Sequence, residues 1–209
     1  MFIPRHSVVE NQFCSYSEDN AFGAAGIGGV VAYAGSVVYL DPAAVNEEPM
    51  VKKMAYGVSD APFGFIMQKV KVGYHNVHPT GFVMPGDLGS SDAIAQPLYG
   101  AGGAITGHKS VPVGVAHLGI FDTVHYTCAS DSSGVVGTKM APGSSLFAAT
   151  NDARLTNSTT IGDGTNDDIM GDAISNVVVA RVLKGASIEK CQANIDNTTL
   201  YPIRVKLLI

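Results

Sequence analysis

The residues best equipped for chemistry in this 209-residue sequence fall in a few short stretches, and each stops short of a working constellation. Gly102-Gly103-Ala104-Ile105-Thr106-Gly107-His108-Lys109-Ser110 approaches the phosphate-binding pattern of Gly, four residues, Gly, Lys, then Ser or Thr. In that pattern backbone amides cradle the phosphates and the lysine reaches them. Here His108 intervenes before Lys109, no hydrophobic strand leads in, and Val111-Pro112-Val113-Gly114 cannot open the helix at whose N-terminus phosphates sit. His75 and His78 form an H-x-x-H pair beside Pro79, without the helical facing or the following Glu of a zinc-enzyme motif. His117 and His125 are expected on strands with ordinary hydrogen bonds.

The densest acidic run, Asp163 to Asp172, suggests calcium only superficially. An EF-hand loop needs Gly at its sixth position and a bidentate Glu at its twelfth, and counting from Asp163 these are Asp168 and Ile174. A solvated turn is the expectation. Cys14, Cys128 and Cys191 are an odd number at wide spacing with no CxxC, which reads as buried free thiols rather than a disulfide framework or a zinc site. No G-x-S-x-G elbow is present, and although Asn157-Ser158-Thr159 and Asn197-Thr198-Thr199 match the glycosylation pattern, no secretory signal is expected to give it meaning. The sequence therefore nominates no catalytic, cofactor-binding or metal residue, and no cofactor.

The elements that would carry any site are strands. Twenty-four glycines and ten prolines punctuate short runs rich in valine, the habit of many short strands joined by tight turns. The chain is 46% hydrophobic and 15% charged, against roughly 25% charged in an average protein, so a partner is expected to cover part of its surface. A formal charge of −5 with no dense Lys/Arg cluster argues against nucleic acid. No stretch approaches the roughly 20 apolar residues of a membrane span.

Residues 1–27 lack a strand or helix period and are expected to form an extended arm. Residues 28–209 are expected to form a single β domain, a small β-barrel or β-sandwich. Val30-Val31-Ala32-Tyr33 and Ser36-Val37-Val38-Tyr39-Leu40 flank a Gly35 turn, and a second apparent hairpin turns at Pro142-Gly143. Phe63 to Val72 has apolar residues on both faces, as a central strand packed on two sides would. Residues 73–110, rich in Pro and Gly pairs, are expected to be an irregular insertion or contact loop. The final run alternates, with Ile203, Val205, Leu207 and Ile209 on one face and Arg204, Lys206 and Leu208 on the other: a half-buried C-terminal strand.

Phe63-Gly64-Phe65-Ile66-Met67-Gln68-Lys69-Val70, Pro112-Val113-Gly114-Val115-Ala116-His117-Leu118-Gly119 and Pro142-Gly143-Ser144-Ser145-Leu146-Phe147-Ala148, followed by Asn151-Asp152-Ala153-Arg154-Leu155, resemble the capsid decoration, or cement, proteins of tailed bacteriophages. The resemblance is one of texture over roughly residues 28–209. It implies a β-rich domain, often a homotrimer, that sits on the outer face of an icosahedral shell, is assembled in the host cytoplasm, and ties the major capsid protein's capsomers together. It carries over no site residue. A tail or other virion component is the nearest alternative. A small-ligand-binding β module is disfavoured by the absence of Trp.

Overall fold

The computed structural model describes residues 2–5, 10–18, 30–42, 49–55, 61–72, 93–99, 105–130, 134–149, 153–162 and 172–209. They form a mainly β protein. Eight strands, β1 (Phe2–Pro4), β2 (Glu10–Glu18), β3 (Val30–Ala32), β4 (Val37–Leu40), β5 (Met50–Lys53), β6 (Gly64–Ile66), β7 (Val70–Val72) and β8 (Ala93–Tyr99), precede the long β9 (Ile105–Leu118). Then come β10 (Ile120–Thr123), β11 (Ser145–Ala148), β12 (Leu155–Thr156), β13 (Ala180–Lys184), helix α1 (Ile188–Ile195) and β14 (Ile203–Leu207).

Five strands close into a barrel in the order β2-β5-β4-β6-β9 and back to β2. All its pairings are antiparallel except β2 with β5. β9 makes closure possible because one of its edges runs along β2, while the other serves β8 up to Ser110 and β6 from Val115. Pro112, which has no amide hydrogen to donate, falls in the gap between those two partners, where a ladder bond is not required.

The barrel wall is apolar on both sides, and two clusters explain why. Cys14, Tyr16, Val38, Val51, Ile66, Val113 and Val115 fill the interior, joined by Ala32 and Val70 of β3 and β7. The alternate residues Val37, Phe65 and Ala116 point outward into a larger core shared with a second sheet. The two-sided burial expected for Phe63 to Val72 is therefore observed, with Phe65 facing one core and Ile66 and Val70 the other. The segment is two short strands rather than one, broken between Ile66 and Val70.

The second sheet is antiparallel in the order β1-β10-β14-β13-β11-β12. β14 lies near its centre, between β10 and β13. Ile203, Val205 and Leu207 are fully buried against the barrel and Arg204 and Lys206 lie on the other face, as the alternation foretold. α1 was not anticipated from the sequence. Its pattern is short: Cys191 and Asn194 are the buried positions, and Ser187 precedes it in extended conformation.

Three expectations need correction. Residues 1–27 are not simply an arm, because Phe2–Pro4 pairs with β10 and Glu10–Glu18 lines β9. The Phe2 ring stacks on Phe121 at 4.3 Å and on Phe65 at 6.0 Å, bridging sheet and barrel. β2 is polar in composition, yet Cys14 and Tyr16 alternate into the barrel, and ladder partners rather than propensity fix the strand. Residues 73–110 are likewise not wholly irregular: Ala93–Tyr99 and Ile105–Ser110 form an antiparallel ladder, and β8 also pairs in parallel with β7. Residues 73–92 and 100–104 lie outside the described residues. Finally, the two Gly-turn segments are corners rather than hairpins. β3 pairs with β7 while β4 pairs with β5 and β6, and β11 pairs with β12 and β13.

Candidate functional site

Among the described residues, none of the near-motifs becomes a site. Lys109 and Ser110, which a phosphate loop would place at a helix N-terminus, lie inside β9 opposite Gln96 and Ala95. His75, His78 and Asp163 to Gly171 lie outside the described residues. Asp172 is buried and accepts a hydrogen bond from Ser158 Oγ at 3.4 Å. His117 Nδ1 is 2.7 Å from the Phe63 carbonyl, and the ring meets Phe63 edge-on. Among the described residues no group of three or more His, Cys, Asp or Glu side chains is placed to hold a metal ion.

Among the described residues the nearest approach to a nucleophile and base is Ser36 Oγ, 3.0 Å from His125 Nε2. Both side chains are buried, and Ser36 Oγ also accepts from the Tyr33 amide in a turn whose Gly35 has φ +99°. A Cβ at Gly35 would lie 3.1–3.3 Å from Thr123, Phe2 and His125, so the turn is pressed against β10. The pair joins a barrel corner to the second sheet, with Tyr33 stacked over the imidazole. That geometry suits a staple; a substrate would have to displace Tyr33 and the turn.

On the second sheet Asp122 accepts from Arg5 Nε at 2.6 Å and from Arg204 Nε and Nη2 at 2.8 and 3.2 Å. The hydrogen bond from Arg204 is the main reason its carboxyl is held below the ordinary value of 3.8, with Arg5 adding to the effect against the cost of burial. The triad spans β14, β10 and the residue after β1, and so ties the N-terminal strand into the sheet.

Exposed apolar side chains are the remaining feature: among the described residues they are spread over both sheets, with Phe13 on β2 the most exposed at 67%, and the four on or beside α1, Val135, Ile188, Leu200 and Tyr201, are termed the collar. Ile188 on the first turn of α1 is 45% exposed, and Leu200 and Tyr201, after its C-terminus, are 50% and 36% exposed. Val135, 56% exposed, sits between Gly134, whose carbonyl accepts from Gln192 Nε2, and Val136, whose amide donates to Gln192 Oε1. Lys190 Nζ lies 5.4 Å from the centre of the Tyr201 ring, and Tyr126 Oη donates to the Tyr201 carbonyl at 2.9 Å. On the inner side Asn194 Nδ2 donates to the Val124 and Tyr126 carbonyls, so the collar is mounted on a fixed base.

The sequence points to residues 73–110 as a contact loop and not to the exposed side chains beside α1. A usable signal was the apolar spacing Ile188, Cys191, Ile195 after Ser187, with Leu200-Tyr201 close behind. No helix of the described residues is long and apolar enough to cross a membrane. No protein-family model matches the chain, and no curated protein does.

Proposed function

We propose that this chain is a virion structural protein that binds the outer surface of a phage capsid, self-associates as a homotrimer, and reinforces contacts between capsomers without catalysing a reaction. The observation that carries the reading is the set of exposed apolar side chains, among them Val135, Ile188, Leu200 and Tyr201 on or beside α1, on a chain with few charges. Contacts of this kind, aromatic and aliphatic with charge at the rim, are what protein interfaces use at their centres. The textural resemblance to decoration proteins supplies the partner, the major capsid protein, and the place, the capsid exterior.

The fold suits the role because a barrel backed by a second sheet presents the collar on a base held by two cores. Substituting Ile188→Asp together with Leu200→Asp should leave the circular dichroism spectrum and melting point nearly unchanged, since both side chains already face water. Binding to capsids that lack the protein should fall at least tenfold, measured by co-sedimentation. Undiminished binding would remove the collar from the contact. A tail component remains the competing assignment, and it predicts co-purification with tails.

A further inference from the structure

The outward face of the second sheet gathers charge that the sequence scatters. Residues directly opposite one another in an antiparallel ladder share a face, so the register lays two rows across this sheet. One runs through Ile3, Asp122 and Arg204 to Lys184, with Leu183 beside it where the β13 register shifts. The other runs through Ile120, Lys206 and Arg181 to Ser145, and the Arg5 amide, donating to the Ile120 carbonyl at 2.7 Å, brings Arg5 to its end. Arg181, Lys184 and Lys206 are exposed, while the intervening Val182, Val205 and Leu207 are buried on the opposite face.

Five of the chain's thirteen Lys and Arg therefore stand on this face, with one of its eighteen Asp and Glu. That one, Asp122, is already shared by Arg5 and Arg204. Among the described residues Arg181, Lys184 and Lys206 make no ion pair; Arg181 Nη1 donates to the Gly143 carbonyl at 3.1 Å. Aliphatic side chains lie among the cations, with Ile3 37% and Leu183 43% exposed.

We propose that this face docks, in a head-to-tail contact, on the carboxylate-bearing surface of a second copy of the chain. The proposal rests on the self-association in the function proposed above and names the surface that makes it. Charge complementarity identifies the occupant. The whole chain has a formal charge of −5, so what lies off this face carries acid in excess of base, and another copy supplies the complement. Two copies meeting face to face across a two-fold axis would set cation against cation, which like-charge repulsion opposes. The contact is therefore heterologous, and such contacts close into a ring, a trimer among them, when the rotation allows. Arg beside aliphatic side chains suits a protein partner, and the two rows hold no aromatic ring on which a nucleic-acid base could stack.

The test is sedimentation velocity of the full purified chain at about 0.05 M and about 0.5 M salt, between which the Debye length shrinks roughly threefold. The expected result is self-association at low salt, with a dissociation constant about tenfold higher or more at high salt. Lys184→Glu together with Lys206→Glu should give a monomer at low salt with a nearly unchanged circular dichroism spectrum, since both side chains face water. The parent carries a second measurement that needs no variant. Unlabelled and heavy-isotope-labelled chains, mixed and coupled with a carbodiimide, should yield Lys184 or Lys206 joined to an Asp or Glu peptide of the other label. A parent that is monomeric at low salt, an oligomer indifferent to salt and to the charge reversal, or links between chains that avoid this face would each overturn the proposal. Binding of a single-stranded DNA oligonucleotide that the double variant loses, without self-association of the parent, would overturn it too and give the face to nucleic acid. The failures are distinguishable: a salt-indifferent oligomer leaves the proposed self-association standing on another surface, whereas a monomer removes both.

Discussion

Asp122 shows how one side chain joins three pieces of chain. Its side chain is almost wholly buried, while those of Arg5 and Arg204 are 46% and 41% exposed, so water screens the attraction and the hydrogen-bond geometry matters more than the charge alone. Because its folded pKa lies below the ordinary 3.8, the triad's contribution is fully present above that value. It is lost as pH falls from about 4 through the lower folded value. Asp122→Asn should therefore lower the urea midpoint at neutral pH, and the gap from the parent should narrow progressively as the pH falls below 3.8. A gap that stayed constant with pH would mean that the carboxylate's charge does not matter. None of this was legible beforehand: three charged residues scattered through the sequence become neighbours only through the β1-β10-β14 order.

The elements were legible where both the period and the burial were local. The C-terminal alternation located β14 because its inward residues meet an apolar core and its outward ones meet Asp122 and water. The buried row Ile203, Val205 and Leu207 lies near the middle of a sheet, so Leu207→Ala should cost about 3 kcal/mol by chemical denaturation. Deleting residues 203–209 should leave no cooperative unfolding transition in calorimetry. β2 and β8 were illegible for the opposite reason: their backbone partners, far away in sequence, make them strands, and their composition is that of a loop.

Gly185 is a second such case. A Cβ there would collide with the Met140 backbone, where Met140 and Ala186 exchange both amide hydrogen bonds at 3.1 Å. Gly185→Ala should destabilise the fold by about 2–4 kcal/mol, visible as a lower melting point. An unchanged melting point would show that this bridge yields freely. The glycine stands out in the sequence only as a turn, and the close approach that requires it arises between segments more than forty residues apart.

At the scale of the molecule, two layers with two cores explain why so apolar a sequence folds into something so small. The barrel wall needs hydrophobic residues on both faces, which absorbs much of the excess, and the collar around α1 accounts for some of the remainder. Composition alone had suggested a covered surface. Phe2–Arg5 and Glu10–Glu18, expected in an extended arm, are paired within the chain, and the contact proposed above lies beside α1. The central claim is that this chain coats a shell. The most direct measurement is its stoichiometry against the major capsid protein, by quantitative mass spectrometry of purified particles separated into tail-free capsids and tails. The account predicts that the chain stays with the capsid fraction at a fixed, high ratio to the shell protein; recovery in a few copies per particle, or with the tails, would contradict it.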